Sequence, residues 1–209
     1  AVDGALARSG DAKVEDSARI TVDGEPLDCR RTRYLMLHKP AGLLSATEDA
    51  SQRTVLDLLP PELRRQGLFP VGRLDKDTTG LLLLTNDGDF AAMLSHPSAE
   101  LEKEYIVDTS LPLPRFLAQD FMDGIRVDGV FYRCKEAEEL NSHRMRIVLV
   151  EGKNREIRRV FESREIGIKN LNRIRIGCVG IEDLQSGQFR NLTQKEVQAL
   201  LRLCTKKEY

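Results

Sequence analysis

Four consecutive leucines, Leu81 to Leu84, stand between a polar glycine-bounded loop, GRLDKDTTG from Gly72, and an Asn-Asp-Gly triplet at 86–88. A short all-apolar run bounded by turn signals predicts a buried strand followed by a tight turn. Apolar positions elsewhere extend the pattern. YLMLHKPAG, from Tyr34, predicts a strand ending in a Pro-Ala-Gly turn, and Leu68–Val71 a short strand leading into the polar loop. EKEYIVDT (102–109) alternates polar and apolar residues, the period of a half-buried strand. IRVDG, FYRCKEAEEL and RMRIVLVEG predict an antiparallel set joined at Asp128-Gly129 and Asn141-Ser142. Ile168–Ile176 and QFRNL complete the strands.

Helical signals are fewer. Thr54 caps TVLDLLPPELRRQ, which Pro60 and Pro61 interrupt. DFAAMLSHP stops at Pro97, and Pro114–Asp123 ends at Gly124. Lys153–Ser163 turns Ile157, Val160 and Phe161 inward. Thr193-x-x-Glu196 is a capping box opening a last helix that runs to about Leu203. Strands outnumber helices and are mostly joined by short turns. The expected class is α+β, a mainly antiparallel mixed sheet flanked by helices.

Residues 1–33 differ from the body at 34–209. They hold two VDG units, Val2–Gly4 and Val22–Gly24, which read as hairpin turns, and no helical apolar period. A segment this short cannot hold a core of its own.

Charge adds one feature. Net charge is −1, but residues 151–175 carry eight Lys/Arg against four Glu, while residues 1–33 carry six basic against seven acidic groups. One basic stretch on a neutral protein suits a polyanion. On charge alone a solvated helix face explains it as well. No apolar run is long enough to span a bilayer. The N-terminal AVDGALARSG lacks the regions of a signal peptide, so a cytoplasmic protein is expected. Cys29, Cys134, Cys178 and Cys204 form no CxxC pair, and His38, His96 and His143 are scattered. Reduced structural thiols are expected, and no metal site.

Candidate chemistry begins with Asp75 in the polar loop, as a nucleophile or base, or as an Asx-turn residue bonding its own backbone. Asp77 and Asp87 would allow a two-carboxylate glycosidase site, although neighbouring turn carboxylates usually cap turns. Arg155, Arg158 and Glu162 share one helical stripe. Arg158 borders the buried face, where a guanidinium could meet a partner carboxylate or simply pair with Glu162. Tyr105 is either a core tyrosine or a platform for a base.

The segments LMLHKPAG, VGRLDKDTTGLLLLTNDG, LEKEYIV, EGKNREIRRVF, LNRIRIG and GQFRNLT carry a family signature in order. Over Tyr34–Leu201 the chain resembles the pseudouridine synthases, in particular the branch acting on small- and large-subunit ribosomal RNA. The resemblance implies that Asp75 is the catalytic aspartate, that Tyr105 stacks on the target uracil, and that Arg158 pairs with the carboxylate. It implies that Arg73 enters the RNA stack as the base leaves and that Leu171 packs near the base. Lys153, Arg155, Lys169 and Arg173 of the basic stretch would meet the RNA backbone. The implied reaction isomerises uridine without redox change, so no cofactor or metal is expected. The implied partner is ribosomal RNA or a ribosomal subunit precursor, and the protein is expected to be a monomer. A catalytically silent ribosome-assembly protein on the same fold is the rival, and a nucleoside glycosidase a third reading. The family often begins with an RNA-binding module of the S4 type. Residues 1–33 resemble its second half, with ITVDGEPL as the closing strand, so the segment is expected to be vestigial or part of a longer chain.

Overall fold

A computed structural model describes residues 1–7, 9, 14, 18, 20–26 and 31–205. Leu27, which ends ITVDGEPL, and Cys29 lie outside the described residues. The chain divides into two compact units, 1–32 and 33–209. In the first, strands β1 (Thr21–Val22) and β2 (Glu25–Pro26) form a hairpin. Asp23 and Gly24 have φ of 54° and 86°, and Asp3 and Gly4 have φ of 48° and 85°. Two successive positive φ values are what a two-residue hairpin turn demands, and Asp-Gly meets that demand at low steric cost.

The body contains β3 (Tyr34–Lys39), helix α1 (Pro61–Arg64), β4 (Phe69–Val71), β5 (Thr79–Thr85), α2 (Gly88–Ser95) and β6 (Lys103–Thr109). It continues with α3 (Leu117–Asp123), β7 (Ile125–Val127), β8 (Val130–Tyr132), β9 (Glu136–Asn141), β10 (Arg144–Leu149) and α4 (Glu156–Glu162). The last elements are β11 (Ile168–Ile176), β12 (Val179–Gly180), β13 (Phe189–Asn191) and α5 (Gln194–Thr205). The main sheet runs β13-β3-β5-β11-β6-β10-β9, with β4 on β5 and β12 on β11. Its ladders are antiparallel except β5–β11, where Thr79 pairs with Asn172 and Gly80 with Arg173. This is the mixed, mainly antiparallel sheet that the patterning predicts.

The two hydrophobicity patterns have separate causes. Strands β3 and β5 are covered on both faces. Leu82 and Leu84 join the core cluster containing Val107, Phe121 and Phe161, whereas Leu81 and Leu83 join the cluster containing Phe90, Leu94 and Leu200. A strand apolar at every position is the result. Strand β6 is covered on one face only. Tyr105 and Val107 face the first cluster, while Glu104 points to the other side, where it meets Arg146 at 2.6 Å and Arg175 at 2.7 Å.

Three local readings are corrected. Asn-Asp-Gly 86–88 is not a free-standing turn. Asp87 is the N-cap of α2, its carboxylate accepting from Phe90 N at 3.0 Å. FYRCKEAEEL is not one strand, because β8 pairs with β7 in a separate hairpin and β9 starts afresh on β10. The predicted Lys153 helix begins at Glu156, since Arg155 has φ 50°.

Candidate active site

The loop from Gly72 to Thr78 leaves β4 and enters β5, and buried contacts fix it at several points. Leu74 is in the core. Its carbonyl accepts from Ser45 Oγ at 2.8 Å, and its N–H donates back to the same oxygen at 3.1 Å. The Gly42 N–H donates to the Lys76 carbonyl at 2.8 Å. Lys39, at the end of β3, is fully buried and donates to the carbonyls of Pro40 (3.1 Å), Lys76 (2.9 Å) and Thr78 (2.8 Å). Burial pushes its ammonium down to about 8, against the opposing pull of Asp77 and Asp75. Asp75 thus sits on a loop held from below by one ammonium and from the side by one hydroxyl.

Arg158 comes from α4, whose Ile157, Val160 and Phe161 are buried as the apolar spacing requires. Its Nε lies 3.5 Å from Asp75 Oδ2, and its Nη2 donates to Thr78 Oγ1 at 3.0 Å. Its side chain is only 13% exposed, against 37% for Asp75, so the pair sits where water is partly excluded. The alternative pairing of Arg158 with Glu162 does not form. Glu162 pairs instead with Arg155, at 3.0 Å. Arg155 also places Nη1 3.7 Å from Asp75 Oδ2, so two guanidiniums flank one carboxylate. Arg155 reaches both partners because its left-handed backbone turns it out of the helical stripe.

A cavity of about 730 Å³ opens over these groups. Asp75, Tyr105, Arg158, Arg73, Lys153, Arg155, Leu171 and Arg173 all line it. Tyr105 (8% exposed) and Leu171 (5%) form an apolar wall on the sheet. Arg73 is exposed at the rim. Lys153 is tied to Glu151 at 2.8 Å and donates to the Phe131 carbonyl at 3.0 Å.

Two of the basic residues assigned to the RNA backbone do not stand at the cavity mouth. Lys169 is exposed outside the cavity, in a shallow depression with Asp108, His143 and Arg144. Arg173 is buried, with Nε donating to the Leu81 carbonyl at 2.8 Å. It lies at the floor of the cavity rather than at its mouth, on a strand paired with β5 on one side and β6 on the other. Neither of the other carboxylates weighed for a glycosidase site, Asp77 and Asp87, lines this cavity. Asp87 caps α2 and accepts from Tyr34 Oη at 2.6 Å.

Lys39, Ser45 and Thr78 were not singled out by sequence reasoning. For Lys39 a signal existed: a lysine ending an apolar strand directly before proline faces either solvent or a buried carbonyl cage. Ser45 offered none.

Comparison with known proteins gives the fold and the cleft their class. The family model described as RNA pseudouridylate synthase matches residues 33–163. A Bacillus subtilis protein described as an uncharacterized RNA pseudouridine synthase is 38% identical over 207 residues, covering 95% of this chain and 86% of that one. The ribosomal small subunit pseudouridine synthase A of Pseudomonas aeruginosa is 35% identical over 200 residues, covering 94% and 86%. The ribosomal large subunit pseudouridine synthase B of Bacillus subtilis is 33% identical over 205 residues, covering 95% and 84%. A crystal structure of a pseudouridylate synthase superposes with a TM-score of 0.75 at 30% identity, covering 96% of this chain and 87% of that one. The chain belongs to the RNA pseudouridine synthase family. It is an enzyme of the isomerase class, and its α+β fold is that family's.

Proposed function

We propose that the protein isomerises a specific uridine to pseudouridine in ribosomal RNA, with Asp75 as the catalytic carboxylate. The observation that carries this reading is the meeting of Asp75 and Arg158 at 3.5 Å in a cleft whose wall is Tyr105 and Leu171. The residues come from a loop, a helix and two strands, and the sequence alone gives no local reason for them to converge. Relatives named for both ribosomal subunits match over most of the chain, which supports ribosomal RNA as the substrate class.

The chemistry suits the groups. The target base must leave its stack, which needs an apolar platform and a wedge. Tyr105 and Leu171 supply the platform, and Arg73 at the rim is placed to fill the vacated space. The carboxylate of Asp75 then adds to the ribose or removes a sugar proton while the glycosidic bond opens. Arg158 and Arg155 fix its position, and Thr78 fixes Arg158 in turn. Exposed cations at the mouth, Arg73, Lys153 and Arg155, meet the phosphate backbone.

The test is tritium release from ribosomal RNA containing 5-tritiated uridine. The wild-type protein is expected to release tritium and Asp75→Asn to release none above background, with RNA affinity within about threefold of wild type. Release by the Asn variant at the wild-type rate would remove Asp75 from the reaction. A silent RNA-binding protein would release none in either form.

A further inference from the structure

The floor of the cleft carries two cations that the Asp75 constellation does not use. Lys103 and Arg173 stand on the adjacent strands β6 and β11, and Arg173 pairs across the ladder with Tyr105, two residues along from Lys103. Both line the cavity. Arg173 is 3% exposed, and its Nη2 is buried with no hydrogen-bond partner among the described residues. Lys103 Nζ donates once, to the Leu101 carbonyl at 3.1 Å, which leaves two N–H donors over. Neither cation has a carboxylate in salt-bridge contact among the described residues. Glu156, a buried carboxylate that also lines the cavity, opposes the Lys103 charge without contacting it, its Oε2 accepting from the Lys153 N–H at 3.2 Å. Burial first, then the neighbouring guanidinium, pushes the Lys103 ammonium down from the ordinary lysine value. Two partly dehydrated like charges with spare donors form an arrangement that an anion would relieve.

Arg173 is 3% exposed and reached only through the cavity, which favours a base inside it over a phosphate on the outer surface. The anion has to come from the base that enters. We infer that Lys103 and Arg173 stabilise the uracil ring as it departs with the glycosidic electron pair. The inference rests on the reading of the protein as a pseudouridine synthase using this cleft. When the C1′–N1 bond breaks, its electron pair stays on N1 and spreads to O2 and O4. This holds whether Asp75 adds to C1′ or removes the proton at C2′. N–H donors on Lys103 and Arg173 then meet the developing charge on the ring oxygens. The ring turns and C5 bonds to C1′ as the ester to Asp75 opens or, on the other route, as Asp75 returns the proton to C2′; the ring is then neutral, and loss of the C5 proton with protonation of N1 completes the base.

The probes are two free pyrimidines: uracil, which is neutral at pH 7, and barbiturate, a pyrimidine trione that is already an anion there. Titration calorimetry on the full chain is expected to show barbiturate binding at least about tenfold more tightly than uracil, a difference of about 1.4 kcal/mol. Lys103→Met and Arg173→Gln are expected to abolish that preference, and Lys103→Arg to retain it. Lys135→Met, which removes a lysine paired with Glu102 on the opposite sheet face, is expected to leave it unchanged. Thermal unfolding of each variant identifies any that fail to fold, and Lys103→Arg keeps the test decisive if the other two do. In single turnover read at cleavage of the C1′–N1 bond, Lys103→Met should slow uridine about 100-fold and 5-fluorouridine, whose ring anion is intrinsically more stable, markedly less. Equal binding of the two pyrimidines by wild type, no barbiturate binding, or equal slowing of both substrates would overturn the inference. Each of these would leave the assigned activity standing if wild type still releases tritium. A wild type that prefers barbiturate yet releases none would instead count against the proposed function.

Discussion

Arg158 does two things with one planar group: Nε faces Asp75 and Nη2 holds Thr78. An ammonium cannot serve both directions at once. Arg158→Lys is expected to lower the single-turnover rate about 100-fold while leaving RNA affinity within about threefold, a split that rate and binding assays on the same RNA resolve. Lys39 beneath the loop gives a pH signature. Its folded pKa, about 8, lies below the unfolded lysine value, so the unfolded chain holds more protons between them. The penalty of the buried charge is therefore fully present below about pH 8 and is relieved as pH rises towards the unfolded value. Denaturant unfolding should show wild type gaining on Lys39→Met by a few kcal/mol from pH 8 to 10. A constant difference would mean that the three carbonyls offset the cost of burying the Lys39 charge in full. At this scale the sequence revealed Asp75, Tyr105 and Arg158 through their motifs. It hid Ser45, and it left Lys39 ambiguous, because a lysine ending an apolar strand before proline suits solvent as well as the cage of three carbonyls it occupies.

Helix α5 is fastened at its first turn by Glu196. That carboxylate accepts from Thr193 N at 2.7 Å and from both Nη atoms of Arg190, at 2.9 and 2.7 Å. The Arg190 hydrogen bonds lead in drawing its pKa down to about 2. A depressed carboxylate contributes stability above its unfolded pKa and loses it as pH falls through the folded value. Glu196→Gln should cost about 2–3 kcal/mol at pH 7 and almost nothing at pH 2, measured by denaturant unfolding at each pH. Strands and helices were legible wherever a period was clean: β5 from its leucines, β6 from its alternation, α5 from its capping box. Boundaries were lost where backbone geometry overrode composition. Arg155 and Phe116, both with positive φ, start α4 and α3 later than their apolar patterns suggest. The hairpins at Asp128-Gly129 and Asn141-Ser142 were legible, but the long-range pairing was not, since nothing in β5 announces a parallel neighbour.

Across the whole molecule the cations divide into those at the cleft mouth and those elsewhere. Arg155 is beside Asp75, whereas Lys169 stands outside the cavity. Arg155→Ala should therefore weaken RNA binding more than Lys169→Ala, and lower the slope of log affinity against log salt by about one unit. A filter-binding series from low to moderate salt measures both. Deleting residues 1–30, which carry four basic against seven acidic side chains, should cost less affinity than Arg155→Ala. A larger loss on deletion would make that segment a working RNA-binding element.

The parallel ladder between β5 and β11 also has a consequence in time. Asp75 precedes one of these strands and Arg158 the other, so the carboxylate and its guanidinium meet only when Thr79 finds Asn172 across the intervening chain. Gly80 guards that contact, because at φ 107° a β-carbon there would stand 2.2 Å from the Arg173 carbonyl. Hairpins such as β9–β10 close early, and pairings across long loops close late. During refolding, far-UV ellipticity should recover ahead of tritium-releasing activity, and Gly80→Ala should widen that lag. Catalysis in this protein is then a clock for the last step of its own assembly.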